Sequence, residues 1–328
     1  MFTMNDSYES IMKEPLISRV VPYFVAHMDF SAREDYRVPF SSFEGEEREK
    51  RESILKGLNR ILLQAEKGEW VYPLYPAEEI AEDPQKEEAF LMFLPSKAPD
   101  AGEKPYVMVV PGGGYVNVWN ISEGWPVAAR LNELGYNCFV LNYRTIGPKL
   151  LPKPLLDYAK ALSFIRENAA LFGVKWDRYI TTGFSAGAHL ICSWATDNYG
   201  FGTYGMPAPL CMFPVYPPVS WKLCNADGDH DGFCLSALGL TVKEAAEGDR
   251  NIEEHVSTFP PCYIAATAGD TLVNPEHSKL LKRALDEARI PAVLEIGPTG
   301  DHGFADGAGT CMKGWIDRAV KFYEGLSD

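Results

Sequence analysis

Residues 179–196 read YITTGFSAGAHLICSWAT, and GFSAG at 183–187 in their centre follows the pattern Gly-X-Ser-X-Gly. The β-rich run Tyr179–Thr182 predicts a strand before the pattern, and Ala186–Thr196 predicts a helix after it. A serine on a sharp strand-to-helix turn has an exposed hydroxyl, and small flanking residues let the strand and the helix approach closely. Because pentapeptides of this form also arise by chance, the strand and helix around it carry the argument. They make Ser185 a candidate nucleophile.

Short strand-like runs recur on both sides of this stretch from about residue 87, separated by longer helical patterns. Several runs are apolar on both faces, which is typical of parallel strands covered by helices. The predicted strands are Phe90–Leu94, Tyr106–Val110, Asn137–Leu141, Tyr179–Thr182, Leu210–Val215, Tyr263–Ala266 and Ala292–Ile296. The predicted helices are Gly124–Leu134, Leu155–Phe172, Ala186–Thr196, Pro275–Ala288 and Thr310–Gly325. We therefore expect an α/β fold with a doubly wound, mostly parallel sheet flanked by helices.

Two stretches do not follow this alternation. Residues 1–86 are predicted to form a helical or irregular extension that precedes a domain at 87–328. A lid, a dimer contact and simple packing all remain open as roles for this extension, although four apolar side chains at helical spacing favour a helix packed on the domain. These side chains are Ile54, Leu58, Ile61 and Leu62. Residues 217–258 are predicted to form an insertion over the C-terminal edge of the sheet, where such folds place ligands.

The composition narrows the classes of partner. The 328 residues carry a formal net charge of −14, which disfavours binding to nucleic acid or to anionic membranes. No window approaches the roughly 20 apolar residues of a membrane span, and residues 1–15 lack the apolar core of a secretory signal. We therefore expect a cytoplasmic protein, with a removed signal as the alternative.

The seven cysteines show no Cys-X-X-Cys pair, so neither a zinc ribbon nor a disulfide framework is predicted. Most of them lie in apolar runs and are expected to serve as small core residues. They are Cys138, Cys192, Cys211, Cys224, Cys234, Cys262 and Cys311.

A second glycine-rich segment, PGGGY at residues 111–115, directly follows the predicted strand Tyr106–Val110. Acyl transfer places negative charge on the former carbonyl oxygen, and backbone N–H groups must already point at that position. We assign the amides of Gly113 and Gly114 as these donors, together with the N–H of Ala186. The alternatives are a plain glycine turn and a phosphate-binding loop. The phosphate loop is disfavoured because neither a Gly-X-Gly-X-X-Gly spacing nor a Walker lysine follows.

A serine nucleophile needs a general base, and six histidines are available. His302 fits best, because it lies in a glycine-flanked loop between the last predicted strand and the last predicted helix. His189 lies one turn beyond Ser185 and is expected to pack or to cap the helix. His277 lies on a predicted helix, where we expect it to be solvated.

The base needs an orienting acid, and two candidates remain. Asp270 follows the predicted strand Tyr263–Ala266, which is the position that the chain order Ser, acid, His requires. Asp301 is the rival, but adjacent side chains rarely turn onto one another, so it is poorly placed to orient His302. We therefore favour Asp270.

Taken together, the ordered motifs resemble the hormone-sensitive-lipase-like esterase/lipase group of α/β hydrolases, and most nearly its carbohydrate-esterase branch of acetylxylan and feruloyl esterases. The resemblance spans about residues 87–328. Its motifs are PGGGY at 111–115, EGWPVA at 123–128, NYR at 142–144, GFSAGAHL at 183–190, AGDTLVNPEHS at 268–278 and DHGF at 301–304. Pro111 stands where this group usually has His, which blurs the subfamily but leaves the backbone amides in place.

The resemblance implies a serine esterase with a Ser185–Asp270–His302 triad and no metal or organic cofactor. The expected substrate is a small-molecule or oligosaccharide ester with a short acyl group, such as acetyl. Tyr115 and Trp119, near the oxyanion loop, are candidates for stacking on substrate, and equally for packing. Trp125 and Trp221 share this ambiguity. The sequence leaves the oligomeric state open.

Two further functions stay open beside the esterase. A serine peptidase or amidase shares the serine turn and the order of the triad, but peptidases of this fold usually carry a large propeller domain, for which residues 1–86 are too short. A non-catalytic binding module usually loses the serine or the histidine, and both are present here.

The acidic segment DGDHDG at 227–232 matches the first six positions of an EF-hand calcium loop. The glutamate expected at the twelfth position is replaced by Leu238, and the sequence shows no evident flanking helices. We therefore interpret the segment as a solvated acidic turn, with adventitious cation binding as the alternative.

Overall fold

A computed structural model of the protein describes residues 1–147, 149–227 and 231–327. Within these residues, eight strands form one sheet in the order β1-β2-β4-β3-β5-β6-β7-β8. The pairs β1/β2 and β2/β4 are antiparallel, and the strands from β4 to β8 run parallel. The strands are β1 (Val71–Pro73), β2 (Phe90–Leu94), β3 (Tyr106–Val110), β4 (Cys138–Asn142), β5 (Tyr179–Phe184), β6 (Cys211–Val215), β7 (Cys262–Thr267) and β8 (Ala292–Gly297). The predicted α/β class with a mostly parallel sheet is confirmed.

The seven strands predicted from the sequence all occur, and their ends differ from the prediction by at most two residues. The short strand β1 was not predicted. It has three residues, ends in a proline and lies at the edge of the sheet, where a proline leaves no ladder bond unmade. So short a run carries no period that distinguishes it from a loop.

The sheet separates two apolar cores. Because successive side chains of a strand point to opposite faces, Met108 and Val110 of β3 enter one core, whereas Val107 and Val109 enter the other. Strands β2 to β7 are buried along their whole length, which requires a layer on each face. These layers explain why the strands read as continuous apolar runs.

The helices supply the covering layers. They are α1 (Tyr8–Ile11), α2 (Gly45–Ala65), α3 (Ala77–Glu82), α4 (Trp125–Glu133), α5 (Lys153–Glu167), α6 (Ala169–Phe172), α7 (Ala186–Ala195), α8 (Trp221–Asp227), α9 (Asp231–Leu238), α10 (Val242–Glu247), α11 (Glu276–Glu287) and α12 (Trp315–Glu324). Short 3₁₀ turns occur at Pro15–Tyr23, Phe30–Ala32, Phe40–Ser42, Pro84–Glu88, Phe201–Tyr204, Ile252–Glu254 and Gly325–Ser327, and a π turn at Asn120–Gly124.

The bounds of all five predicted helices differ from the structure, and three of the differences have a visible cause. The predicted helix Leu155–Phe172 is two helices, because the chain leaves α-helical geometry at Asn168. The predicted helix Gly124–Leu134 begins only after the π turn. The predicted start at Thr310 was five residues early, since Gly314 has a left-handed conformation (φ 81°) and forms the N-cap of α12.

Most buried residues of 1–71 pack on one face of the sheet, whereas Leu74 and Tyr75 belong to the core on the other face. The predicted stripe on α2 is confirmed as a packing surface: Leu58 and Ile61 are fully buried in the same core as Trp125 of α4 and Trp315 of α12. Strand β1 also extends the sheet to residue 71. The division at residue 86 stays a prediction.

Within the predicted insertion at 217–258, helices α8, α9 and α10 follow β6. Residues 228–230 of the acidic segment lie outside the described residues, so its interpretation as a solvated turn stays a prediction. The expectation that it lacks flanking helices was wrong, because α8 ends at Asp227 and α9 begins at Asp231.

Six of the seven cysteines are buried thiols, as predicted, and Cys311 is exposed. Across the part of the chain that the structure describes, no helix is both long and apolar enough to cross a membrane. The cytoplasmic location stays a prediction.

The packing of α2 on α4 can be tested at Gly57. A Cβ there would lie 2.6 Å from the backbone nitrogen of Pro126, so Gly57→Ala should lower the free energy of unfolding by about 1–3 kcal/mol through overpacking. Gly325→Ala is the matched control, because a Cβ there meets nothing within 4 Å, and it should stay within about 0.5 kcal/mol. Denaturant titration measures both. If Gly57→Ala stabilises the protein, as alanine does in a free helix, this helix contact is not formed.

Candidate active site

Ser185 occupies the turn between β5 and α7. Its backbone has φ 52° and ψ −119°, a strained conformation for a residue with a side chain. Its N–H donates to the carbonyl oxygen of Val215 in the neighbouring strand β6, at 3.0 Å. The strain places Ser185 at the tip of the turn, as the Gly-X-Ser-X-Gly pattern predicts.

Gly187 sets the approach of α7 to the sheet. A Cβ at this position would lie 2.1 Å from the carbonyl oxygen of Val110 and 2.5 Å from that of Pro111. No other residue fits so close to the backbone of β3, so glycine is required here. The first turn of α7 therefore lies directly against the start of the 111–115 loop.

The 111–115 loop presents backbone amides beside Ser185. Gly113 has φ 133°, and a Cβ there would meet the carbonyl oxygen of Asn117 at 2.3 Å, so the loop depends on glycine. Gly112 donates its N–H to Oε2 of Glu123 at 2.6 Å. In the described part of the chain, the next two amides, of Gly113 and Gly114, donate no hydrogen bond within the protein. They are available to an oxygen bound in front of them.

His302 and Asp270 are hydrogen-bonded. Nδ1 of His302 lies 2.8 Å from Oδ2 of Asp270, whose side chain is 1% exposed. Oδ1 of Asp270 accepts from the N–H groups of Leu272 (3.0 Å) and Val273 (2.8 Å). Because a carboxylate only accepts, Nδ1 carries a proton, and Nε2 of the neutral ring is left as the basic nitrogen.

Asp301, the rival acid, contacts the backbone of His302 and not its ring. Its Oδ1 accepts from the N–H and Oγ1 of Thr271, both at 2.9 Å, and from the N–H of His302 at 2.8 Å. The N–H of Thr271 and that of His302 lower the pKa of Asp301. This carboxylate fixes the loop that carries His302.

A cavity of about 570 Å³ brings most of the predicted site residues together. Ser185, His302, Gly113, Gly114 and Trp119 all line it. Its walls also include apolar side chains from α9 and from the loop after Asp270, namely Phe233, Leu272 and Val273. Ala186 begins α7 immediately beside Ser185. The cavity lies at the C-terminal ends of the parallel strands, where α/β folds place their ligands.

Tyr115 lies elsewhere than predicted for a substrate contact. Its ring is fully buried, and Phe233 stacks on it with centroids 5.8 Å apart, so Phe233 lines the cavity in its place. Its hydroxyl lies 2.8 Å from Nδ1 of His189. Trp125 and Trp221 are also buried. Of the four aromatic candidates, Trp119 is therefore the one that lines the cavity.

The two remaining candidate histidines are both buried. Burial lowers the pKa of His189 to about 3, so the ring is neutral and packs, as predicted. The prediction of a solvated His277 was wrong, because this side chain is 1% exposed and lines the cavity. Its Nδ1 accepts from the N–H groups of Val219 and Ser220, both at 3.2 Å. Helical spacing alone did not show that the insertion covers this face of α11.

Sequence reasoning missed Glu123 and Tyr216. Both are buried, and the Tyr216 hydroxyl donates to Oε1 of Glu123 at 2.7 Å. Glu123 also lines the cavity. The available signal was an acidic residue in an otherwise uncharged stretch, residues 115–129, which follows the glycine loop.

Comparison with known proteins is consistent with this geometry. The BD-FAE family matches residues 92–200. The chain is 28% identical over 218 residues to an acetylxylan esterase of Xylanibacter ruminicola, and 34% identical over 239 residues to the esterase LipQ of Mycobacterium tuberculosis. These alignments cover 63% and 68% of the chain, but 42% and 55% of the two relatives, so the chain spans about half of their length.

A crystal structure of an acetyl ester-xyloside bifunctional hydrolase from Caldicellulosiruptor lactoaceticus superposes with a TM-score of 0.65 at 28% identity. The match covers 78% of this chain and 96% of that protein. The sheet order, the strained serine turn and these likenesses define the chain as an α/β hydrolase of the hormone-sensitive-lipase-like group. Within that group, residues 92–200 carry the BD-FAE domain.

The buried neutral His189 predicts a defined acid sensitivity. Its pKa is lower in the folded chain than in the unfolded chain, so the unfolded state takes up the extra proton and stability falls as the pH drops below about 6.5. Between pH 6.5 and 5 this residue should cost about 2 kcal/mol, at 1.4 kcal/mol per pH unit. Denaturant titrations at both pH values should give a smaller loss for His189→Gln than for the wild type. Equal losses would contradict a buried neutral imidazole.

Proposed function

We propose that the protein is a serine esterase that hydrolyses short-chain carboxylic esters through an acyl-enzyme. The observation that carries this proposal is the Asp270–His302 hydrogen bond in a cavity that Ser185 lines from a strained turn. The two undonated amides of Gly113 and Gly114 on the same cavity support it. Names of relatives, which include esterases, support the same reaction class.

The proposed mechanism assigns each group one task. Nε2 of His302 takes the hydroxyl proton of Ser185 as Oγ attacks the ester carbonyl carbon. Asp270 holds the Nδ1–H tautomer and stabilises the imidazolium that forms. His302 then gives its proton to the leaving alkoxide, and water repeats the sequence on the acyl-enzyme to release the acid.

The tetrahedral intermediates carry an oxyanion, which the amides of Gly113, Gly114 and Ala186 are proposed to bind. Each such donor stabilises the transition state by about 3 kcal/mol. Ala186 is at the first position of α7, where the helix dipole also favours negative charge. Neither a metal nor an organic cofactor enters this reaction.

The proposed substrate class is an acetyl or similarly short ester of a carbohydrate, of the xylan type. A cavity of about 570 Å³ is in the range of small-molecule sites and must accept both the acyl and the alcohol parts. Partly exposed Trp119 offers a face on which a sugar ring can stack. The relatives named an acetylxylan esterase and an acetyl ester-xyloside hydrolase support this class.

The triad assignment is tested by one matched pair of variants. Asp270→Asn should lower kcat for p-nitrophenyl acetate by about 10⁴-fold, because the amide favours the wrong tautomer of His302. Asp301→Asn removes a neighbouring carboxylate that does not contact the ring and should change kcat by about twofold or less. Ser185→Ala should lose at least as much activity as Asp270→Asn. A larger loss at Asp301 than at Asp270 would reverse the assignment of the acid.

The acyl preference is tested with p-nitrophenyl esters from acetate to decanoate. We expect kcat/KM to be highest for acetate or butyrate. For decanoate it should be lower by a factor of at least about ten, because a long acyl chain does not fit in the cavity together with the alcohol. Acetylated xylan oligomers and feruloyl esters then test the alcohol side. Wild-type rates no greater than those of Ser185→Ala on every ester would remove the esterase proposal and favour amide substrates or binding without turnover.

A further inference from the structure

Glu123 is a buried carboxylate beneath the candidate active site. It belongs to the π turn Asn120–Gly124, and both of its oxygens are used. Oε2 accepts the N–H of Gly112 at 2.6 Å, and Oε1 accepts the hydroxyl of Tyr216 at 2.7 Å. Burying a charge costs free energy unless hydrogen bonds or an opposite charge offset its desolvation.

The hydrogen bonds of Glu123 favour its ionised form. Burial raises the pKa of Glu123, while the Tyr216 hydroxyl, the Gly112 amide and nearby His302 act in the opposite direction. Both direct partners are donors, and each oxygen has one of them. A carboxylate accepts from both partners at once, whereas a protonated carboxyl would have to donate to the Tyr216 hydroxyl, which would then have to turn its own hydrogen elsewhere.

Each partner of Glu123 belongs to a different part of the proposed machinery. Gly112 belongs to the 111–115 loop, and the next two residues of this loop line the cavity. Tyr216, at the end of β6, has a left-handed backbone (φ 40°), and its ring centroid lies 4.4 Å from that of His302. A Cβ built on Gly112 would lie 3.0 Å from Oε2 of Glu123 and 2.9 Å from Cβ of Ser185. The carboxylate is therefore close to the nucleophile as well.

Other charged or titratable groups also face His302. Asp270 lies on its Nδ1 side, and Asp301 adjoins its backbone. Glu46 and Lys50 of α2 line a second cavity together with His302, and His277 lines the same cavity as Ser185. Among the carboxylates near His302, those of Glu123 and Asp270 are buried. Solvent therefore screens the electrostatic fields of these two least.

We infer that Glu123 is a positioning residue whose charge favours the imidazolium form of His302 while its two hydrogen bonds hold the oxyanion loop and the Tyr216 ring. This inference rests on the proposed hydrolytic function. In the transition state, the proton of Ser185 moves to Nε2 of His302, and a negative charge nearby stabilises the positive ring. Glu123 itself exchanges no proton with substrate.

Glu123→Gln separates the charge from the geometry. The amide oxygen can still accept from Gly112, and the amide NH₂ can donate to the Tyr216 hydroxyl, which accepts as readily as it donates. We expect kcat for p-nitrophenyl acetate to fall by about tenfold with KM nearly unchanged. The acidic limb of the pH–kcat/KM profile should move about one unit to lower pH, because the protonated ring loses a favourable neighbour.

Two matched variants identify the cause. Glu253→Gln makes the same change at another largely buried glutamate, which accepts from Ser220, and should leave kcat and the acidic limb unchanged. Tyr216→Phe keeps the ring and the Glu123 side chain but removes the hydroxyl that lowers the pKa of Glu123, so its acidic limb should shift less than that of Glu123→Gln. An acidic limb that shifts as far in Tyr216→Phe as in Glu123→Gln would overturn the assignment of the shift to the charge of Glu123.

A second readout keeps the inference independent of the substrate. An alkyl fluorophosphonate reacts as Oγ of Ser185 forms a bond to phosphorus, fluoride leaves, and His302 takes the serine proton. Intact-protein mass then measures the labelling rate against pH, with Ser185→Ala as the blank. Glu123→Gln should label about tenfold more slowly than the wild type, with its acidic limb about one unit lower.

The outcomes for the two proposals are distinct. Wild-type ester turnover with an unchanged rate and acidic limb in Glu123→Gln would leave the esterase standing and overturn the role of Glu123. A wild type that labels at Ser185 but hydrolyses no ester would remove the esterase and still test Glu123 through the labelling rate. A Glu123→Gln variant that unfolds several degrees earlier but reacts normally when folded would show a purely structural glutamate.

Discussion

The close contact between Gly187 and the end of β3 is the constraint on which the site depends. A Cβ at Gly187 would lie within 2.5 Å of two carbonyl oxygens, of Val110 and Pro111, so α7 can start where it does only with glycine there. That contact fixes the first turn of α7 against the glycine loop. It also leaves the chain a very short reversal between β5 and α7, which is why Ser185 adopts a strained backbone. This one backbone contact thus places Ser185 beside the amides of Gly113 and Gly114.

The N-terminal residues support the other side of the same loop. The N–H of Ala26 donates to Val118, its carbonyl accepts from the side chain of Asn117, and the carbonyl of Phe24 accepts from the N–H of Ile121. Asn120 bonds to the carbonyl of Tyr23. These bonds hold the segment that carries Trp119 and Glu123. Of the roles left open for residues 1–86, packing has direct support in these contacts, and the packing reaches the edge of the cavity.

Sequence patterns predicted what depends on chain order and periodicity. Strand β3 and the Gly-X-Ser-X-Gly turn are local, and Asp270 and His302 follow strands that end at the same edge of the sheet, so their meeting could be predicted. The placement of Tyr115 could not, because it depends on Phe233 of α9, more than a hundred residues away. The prediction that His277 is solvated was wrong for the same reason, because the insertion that buries this side chain is distant from it in the sequence. Glu123 had no periodic signal, and only its contacts with Gly112 and Tyr216 show its place.

The first amide of the glycine loop is bound by the buried carboxylate of Glu123, whereas the next two amides are not. Gly112 gives its N–H to Glu123, and the next two residues line the cavity with theirs undonated in the described structure. Without an acceptor behind the loop, a turn of three glycines has many conformations of similar energy. With it, the N–H of Gly112 is held by the carboxylate, and the directions of the following peptide planes are constrained. The same carboxylate bonds Tyr216, whose ring packs on His302. The glycine loop and the ring of His302 are therefore both linked to one buried carboxylate.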